Sequence, residues 1–427
     1  MQGLQLKRQG CSVTILEKDS ATDRASHLAG LSFRTNVGAL LDEYAFNGIA
    51  VAAAPRTTQW SFGTRSNVLV TGSDLKVTSW GHFYRMLRAN YDGLASSSYP
   101  NPPPSRDGDG EARFLSGKQA TDLSCLDNIV TVRYVDVKTG VEGKIESDLV
   151  IGADGSRSTV RGLIQAPTKR EYSGYIAWRA TVPEKLLSDK TAGYFSESVS
   201  LNQLRRSYIM GYVHNSPPYP LCSFYSQHSP RSYYIPTDQG SFEPGERLIN
   251  LVWYYNVPED SDEMKSIFTD KHGIIHRNTV APNALQPSAW KRVRDAFAPR
   301  FSAPFVEVLY LIETPFVTKI NDALCSQPSF FNGRGFLIGD ALTTLRPHTG
   351  SAAEMAAFHS LALAPVLKGA KTVEAWKREV LVYSKRMWLI GRLVGIYGQG
   401  SMLSLLRAVF NYIIFIVGVK IGIPNVA

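Results

Sequence analysis

The sequence predicts an α/β protein in which a parallel sheet is interrupted by an inserted mixed, largely antiparallel one. Three stretches carry this. Asn332 to Leu363 reads as an apolar strand (Phe336, Leu337, Ile338), a Gly339-Asp340 turn, the loop Arg346-Pro347-His348-Thr349-Gly350, and a helical run of small residues. Asp148 to Arg161 repeats the device, with Leu-Val-Ile, then Gly-Ala-Asp154-Gly155, then a Ser/Thr-rich helix start. Between them, residues 172–257 place aromatic side chains at period two, the spacing of strands with one face on a core or a ligand.

Each part of the two repeated units has a physical reason. Gly339 lets the backbone turn where a ligand approaches. Asp340 follows at a strand end, where α/β sheets place ligand contacts. Pro347 to Gly350 leads into a helix start whose free N–H groups can face a polar or anionic group. One such unit occurs in many α/β proteins. Two, in this order and at this separation, resemble the paired flavin motifs of class A FAD-dependent aromatic hydroxylases. The resemblance implies a Rossmann-like FAD-binding domain. It implies that Asp154 and Gly155 serve FAD and NAD(P)H, and that Asp340 hydrogen-bonds the ribityl or ribose. It further implies that Pro347, Thr349 and Gly350 pass over the flavin ring and pyrophosphate.

The chain has 427 residues and a formal charge of +9, from 46 basic and 37 acidic side chains. That balance favours an anionic ligand, which FAD and NADPH satisfy. No Lys/Arg block marks a nucleic-acid arm, so no nucleic-acid partner is expected. Cys11, Cys125, Cys222 and Cys325 lie far apart without CxxC spacing. They fit buried thiols in a reducing, cytoplasmic compartment, and no metal site is expected.

From the N-terminus, Met1 to Gly10 has a helical pattern closed by glycine. Cys11 to Lys18 reads as a strand ending in Glu17-Lys18, and an acid at the end of the second Rossmann strand binds a ribose hydroxyl. The bland alternative is a helix–strand pair with a surface Glu. The ribose assignment demands a first strand and a GxGxxG turn upstream, which this sequence does not contain. The expectation is a parallel sheet truncated at its N-terminus, with Met1 an internal methionine and about 15 to 25 residues of strand and loop preceding it.

Ala29 to Tyr44 reads as a strand and a helix abutting the flavin, with Arg34 as a contact or a solvated side chain. Thr57 to Thr71 alternates as a hairpin does. Thr78 opens an amphipathic helix, and Ser79-Trp80 stands where many relatives place a flavin-contacting Arg. Tyr99 to Gly110 is a surface loop. Asp122 to Asp136 and Gly140 to Ser147 alternate as strands feeding the Asp148 unit.

The expected organisation is a first FAD-binding part at 1–165, a substrate-binding sheet at 166–315, a second FAD-binding part at 316–400, and an apolar tail at 401–427. Within the sheet, Gly174-Tyr175-x-x-Trp178-Arg179 and Val252-Trp253-Tyr254-x-Asn-Val-Pro are similar to the 2,6-dihydroxypyridine 3-monooxygenase-type branch of the class A hydroxylases, as are Thr269 to Arg277 and Pro315-Phe-Val. Tyr175, Trp253 and Tyr255 are candidate walls of a substrate pocket, or plain core. Residues 213–233 are polar and proline-dotted, with no strand period. They are either a retained intron or a lid loop. His214, Cys222 and His228 are too irregular for a metal set.

After the second motif, Ser351 to Lys368 and Trp376 to Leu393 read as helices. Ala352, Glu354 and His359 stand where relatives have Gly, Asn and Asp. In the tail, the apolar core of Ala408 to Lys420 is about 12 residues, short of the roughly 20 a bilayer needs. A buried or interfacial helix is the first reading, membrane contact the second and a span the third.

The resemblance implies a monooxygenase that reduces bound FAD with NADPH or NADH as transient co-substrate. Such an enzyme captures O2 as the flavin C4a-hydroperoxide and passes one oxygen to an electron-rich aromatic or heteroaromatic ring. The protein then positions the ring and excludes water, so no isolated nucleophile is needed. His348 is the candidate for ring polarisation or substrate contact, with a hydrogen-bonded loop histidine as the alternative. Two other functions compete: an epoxidase or hydroxylase of a lipophilic secondary metabolite, and an inactive truncated remnant. Expected partners are the small substrate and O2, with a homodimer and peripheral membrane contact through 401–427 as further options.

Overall fold

The computed structural model describes residues 1–21, 29–46, 52, 57–62, 65–67, 75–195, 198–203, 228–237 and 239–422. α1 (Gln2–Arg8) leads through Gly10 to β1 (Val13–Glu17). β2 (Gly30–Phe33) enters α2 (Thr35–Tyr44), which buries Val37, Leu40, Leu41 and Tyr44. β3 (Thr57–Phe62) and β4 (Arg65–Asn67) pair as a hairpin. β5 (Lys76–Ser79) runs into α3 (Trp80–Asp92), where the Ser79 hydroxyl accepts the His82 N–H and Gly93 ends the helix in the left-handed region. β6 (Ala112–Ser116) lies parallel to β1. β7 (Lys118–Leu126), β8 (Ile129–Asp136) and β9 (Glu142–Ser147) form an antiparallel meander before β10 (Val150–Gly152) and α4 (Thr159–Leu163).

The inserted sheet begins with β11 (Thr168–Pro183) and α5 (Asp189–Phe195). It continues through β12 (Ser198–Gln203), β13 (His228–Ile235), β14 (Leu248–Asn256), α6 (Asp262–Phe268) and β15 (Thr279–Val280). α7 (Pro287–Phe297) and α8 (Ala303–Leu311) precede β16 (Phe316–Cys325). The strand order is β15-β16-β11-β14-β13-β12-β3-β4, antiparallel except for the parallel β12–β3 pair. One face of this sheet packs on α6 to α8 through Trp178, Trp253, Trp290, Phe301 and Phe305, the largest core among the described residues.

Two expectations change here. The boundary at 315/316 cuts this sheet, because β16 pairs with β11 from Thr168–Cys325 to Arg179–Phe316, and β3–β4 joins from the far side. The sheet therefore also takes strands from outside 166–315. The 213–233 stretch lies outside the described residues up to 227. From His228 it is strand, paired with β14, rather than loop.

β17 (Ser329–Phe330), β18 (Gly335–Leu337) and β19 (Thr343–Thr344) surround the second motif. α9 (Ala352–Leu367), α10 (Val373–Gln399) and α11 (Met402–Lys420) close the chain. Outside the inserted sheet the parallel pairs are β1–β6 and β10–β18, the second extended by antiparallel β17, and no described strand joins the two ladders. α9 covers both regions, with Ala357 packed among Leu4, Phe33 and Leu40 on one side and Leu363 against Phe336 and Trp376 on the other.

Candidate active site

The two strand-Gly-Asp units are neighbours in space. β10 and β18 pair in parallel, Val150 with Gly335 and Gly152 with Leu337, so both turns leave the same end of one ladder. Arg161 ties them: its Nη1 donates to the Ala341 carbonyl at 2.7 Å and its Nη2 to the Ser156 carbonyl at 2.8 Å.

The two acids then differ. Asp154 is exposed, and its carboxylate accepts the Ser158 hydroxyl and the Val160 N–H (3.0 Å), so it is committed to the start of α4. Gly155 beside it has φ +84°. Asp340 retains some exposed surface as a residue, yet its Oδ1 is sealed from solvent and has no hydrogen-bond partner among the described residues. Burial raises its pKa to about 6, with Arg161 acting the other way. A carboxylate oxygen left like this is costly unless something else meets it.

The turn itself is held from behind. The Gly339 N–H donates to His359 Nδ1 at 3.0 Å, and His359 Nε2 lies 2.9 Å from the Ser384 hydroxyl. Burial lowers the His359 pKa to about 3, so the ring is neutral. With Nδ1 accepting, the proton sits on Nε2 and is donated to Ser384. His359 thus supplies the acceptor for the Gly339 turn.

Pro347 to Thr349 forms one 3₁₀ turn closed by Gly350 at φ +60°. A Cβ on Gly350 would stand 2.0 Å from Ser32 Oγ on β2, so only glycine fits the crossing. Arg34 Nη1 donates to the Thr349 carbonyl at 3.4 Å. Glu354, on the first turn of α9, accepts the N–H groups of Arg34 (3.0 Å), Asn36 (2.5 Å) and Val37 (3.2 Å). A carboxylate here caps α2 from a helix far along the chain. Thr343 Oγ1 and Thr349 Oγ1, like Asp340 Oδ1, are buried without partners among the described residues.

His348 points to the inserted sheet. A hydrogen bond of 2.5 Å joins its Nε2 to the Tyr175 hydroxyl, and its ring lies 4.4 Å from that of Tyr254. A bulge in β11 between Tyr172 and Ile176, with Gly174 at φ +87°, sets Tyr175 at this point. Burial, the leading cause, raises the Tyr175 pKa, so the phenol keeps its proton. α10 roofs the pair: a Cβ on Gly395 would stand 2.8 Å from Tyr175 Oη and 3.0 Å from His348 Nε2. Next to it, buried Asp322 accepts Arg346 Nε at 2.6 Å and Trp388 Nε1 at 3.1 Å, fixing α10 to the loop.

The three expected pocket walls are not brought together. Trp253 and Tyr255 project from the opposite face of β14 into the core, Trp253 against Trp290 and Phe301, and Tyr255 donating to Glu263 at 2.6 Å. Strand alternation separates them from Tyr175 and puts Tyr254 on its face instead. Glu17 ends β1, on the other ladder, and Lys18 follows it; the Glu17 carboxylate accepts the Asp19 N–H at 2.9 Å and Lys18 is exposed.

One feature was not anticipated. Arg157, Arg170, Arg277 and Lys319 line a cleft of about 470 Å³ that reaches Thr344 and Pro347, and they also line an adjoining one of about 460 Å³. Burial and the neighbouring Arg157, Arg161 and Arg277 lower the pKa of Arg170, the signature of crowded positive charge. These cations come from four separated segments, so no basic run announces them.

A family model described as FAD binding domain-like matches residues 223–322. The chain is 29% identical over 259 residues to the 2,6-dihydroxypyridine 3-monooxygenase of Paenarthrobacter nicotinovorans, covering 60% of this chain and 56% of that protein. It thus spans just over half the length of that curated relative. The structure of 2,6-dihydroxypyridine-3-hydroxylase from Arthrobacter nicotinovorans superposes with a TM-score of 0.74 at 21% identity, covering 94% of this chain and 91% of that one. HpxO of Klebsiella pneumoniae, complexed with FAD and uric acid, superposes with a TM-score of 0.61 at 16% identity, covering 97% of this chain and 96% of that one. The chain therefore has the α/β fold of these proteins, parallel strand pairs with an inserted mixed sheet.

Proposed function

We propose that this chain is an FAD-dependent, NAD(P)H-consuming monooxygenase that inserts one oxygen atom from O2 into an electron-rich aromatic or heteroaromatic ring. The observation that carries the reading is the sealed, partnerless Oδ1 of Asp340 beside the Pro347–Gly350 turn. Asp340, Thr343 and Thr349 offer three buried polar atoms without partners among the described residues, and Gly350 leaves no side chain in the way. That set fits a hydroxyl- and phosphate-bearing ligand such as FAD, with Asp340 on a sugar-chain hydroxyl and the free N–H groups of α9 toward its polar end.

FAD bound there would take electrons from the nicotinamide and activate O2. The protein's share is placement and proton handling. Tyr175, Tyr254 and His348 are nearly closed to solvent, which keeps water from the reacting ring. The Tyr254 ring packs 4.4 Å from the His348 ring and holds the imidazole in place. A substrate hydroxyl that hydrogen-bonds Tyr175 Oη would pass its proton to that oxygen while the phenol proton moves to His348 Nε2, and the substrate ring is so enriched. The cleft of Arg157, Arg170, Arg277 and Lys319 suits the phosphates of the nicotinamide co-substrate, and lies on the Pro347 side of the turn.

A second reading, hydroxylation or epoxidation of a lipophilic secondary metabolite, is favoured by the apolar face that α11 exposes. Both readings are tested by turnover with FAD, NADPH and 18O2 on two substrate panels, hydroxypyridines with phenols and prenylated or polycyclic metabolites. Labelled oxygen in a hydroxypyridine or phenol product supports the first reading. Label only in lipophilic products supports the second. Absence of substrate-stimulated NADPH or NADH oxidation with either panel would overturn both.

A further inference from the structure

We propose that α11 docks this protein on an anionic lipid surface, lying in the plane of the interface. The proposal stands apart from the flavin reading. α11 is 19 residues long, with a mean hydropathy of 2.0. Leu405, Phe415 and Gly418 are buried, while Leu403 (79% exposed), Leu406, Phe410 (63%), Ile413, Ile414 and Val417 face solvent. At helical spacing these six exposed residues fall in a stripe about 100° wide, and Arg407 and Lys420 stand just outside its two edges.

The helix is held to the body rather than hanging free. Its buried side packs on α10, where Lys385 Nζ lies 5.9 Å from the Phe415 ring. Only Gly400 and Ser401 separate the two helices, Ser401 caps α11, and the Gln399 carbonyl accepts Asn256 Nδ2 at 3.0 Å. A crossing orientation would draw α10, with Glu374, Lys377, Arg378, Glu379 and Arg386, into hydrocarbon. An in-plane orientation buries the stripe alone.

Charge selects the occupant. From residue 380 to 427 the chain has five basic side chains and no Asp or Glu; Arg392 is paired with Glu171 and Asp322, which leaves Lys385, Arg386, Arg407 and Lys420 without an acidic partner among the described residues. A second copy would oppose the same cations to one another. Anionic headgroups supply the missing counter-charge, about fivefold in affinity per cation near the surface.

The test is co-sedimentation of the full chain with phosphatidylcholine vesicles, with and without phosphatidylglycerol. Binding is expected with the anionic vesicles, much weaker without them, and reversible by alkaline carbonate. Arg407→Gln with Lys420→Gln should lower it about 25-fold. Phe410→Glu with Ile414→Glu, both at exposed positions, should abolish it. Failure to bind anionic vesicles, binding indifferent to both double variants, or carbonate-resistant insertion would overturn the proposal. So would a wild-type dimer that ignores vesicles and falls apart in Phe410→Glu with Ile414→Glu.

Discussion

The Tyr175 hydroxyl and His348 Nε2 meet at 2.5 Å, joining a bulge in the inserted sheet to the loop that follows the Gly339-Asp340 turn. They lie 173 residues apart in the chain. Tyr175→Phe removes the shared proton while keeping the ring contact with Tyr254. The expected result is a 10- to 100-fold loss in product formation, at or below the low end of general acid–base contributions, about 100-fold. NADPH oxidation should persist, so the ratio of product to NADPH consumed reads the effect directly.

Asp340 gives a stability prediction with a definite sign. Its folded-state pKa of about 6 lies above the ordinary 3.8, so ligand-free native protein holds an extra proton between those values. Stability therefore falls as pH rises through about 4 to 6, by on the order of 3 kcal/mol in total. Urea titrations of ligand-free protein across this window should show the slope. Asp340→Asn should flatten it and raise stability near neutral pH.

Glu354 holds the N-terminus of α2 through three backbone N–H groups. Glu354→Ala leaves those donors buried and unmet, so unfolding free energy should drop by about 2 kcal/mol. Glu354→Gln, which keeps one acceptor oxygen, should lose less. Thermal melts of the three proteins rank them.

Much of this site is legible along the chain because it is local. The Gly339-Asp340 turn, Pro347 to Gly350 and the Asp154-Gly155 unit each sit within a few residues of an apolar strand, so the pattern is visible in the sequence, and the resemblance of the pair to flavin motifs gives it an expected role. The choice between faces of β14 is not local. Trp253, Tyr254 and Tyr255 are all aromatic and all buried, and only the pairing of β14 with β11 shows that Tyr254 shares the Tyr175 face. The roles of Glu354 and Asp322 and the basic cleft were hidden for a related reason. Their partners are brought in by the fold from distant segments, and nothing in the spacing of single charges reports that.

Gly350→Ala tests the crossing at Ser32. A methyl group at φ +60°, placed 2.0 Å from Ser32 Oγ, must displace the Ser32 hydroxyl, the loop or the strand. The expected cost is about 1 to 3 kcal/mol of stability. Adding Ser32→Gly should recover part of it, leaving the backbone strain.

The basic cleft predicts a separation of effects. Arg277→Ala should raise the KM for NADPH severalfold and weaken its dependence on salt, because one cation fewer then meets the phosphates. FAD affinity should be unchanged, since Arg277 lines the cleft and not the Asp340 turn. Steady-state kinetics at two ionic strengths, beside a flavin titration, checks both halves.

The central claim is that the Asp340 turn holds FAD. Titration of the protein into free FAD, followed by flavin fluorescence, measures this for the wild-type chain and for Asp340→Ala. The account predicts saturable quenching for the wild type and a Kd about 10- to 100-fold weaker for the variant, the loss of a hydrogen bond to a charged group. No quenching by the wild type, or equal affinity for both proteins, would contradict it.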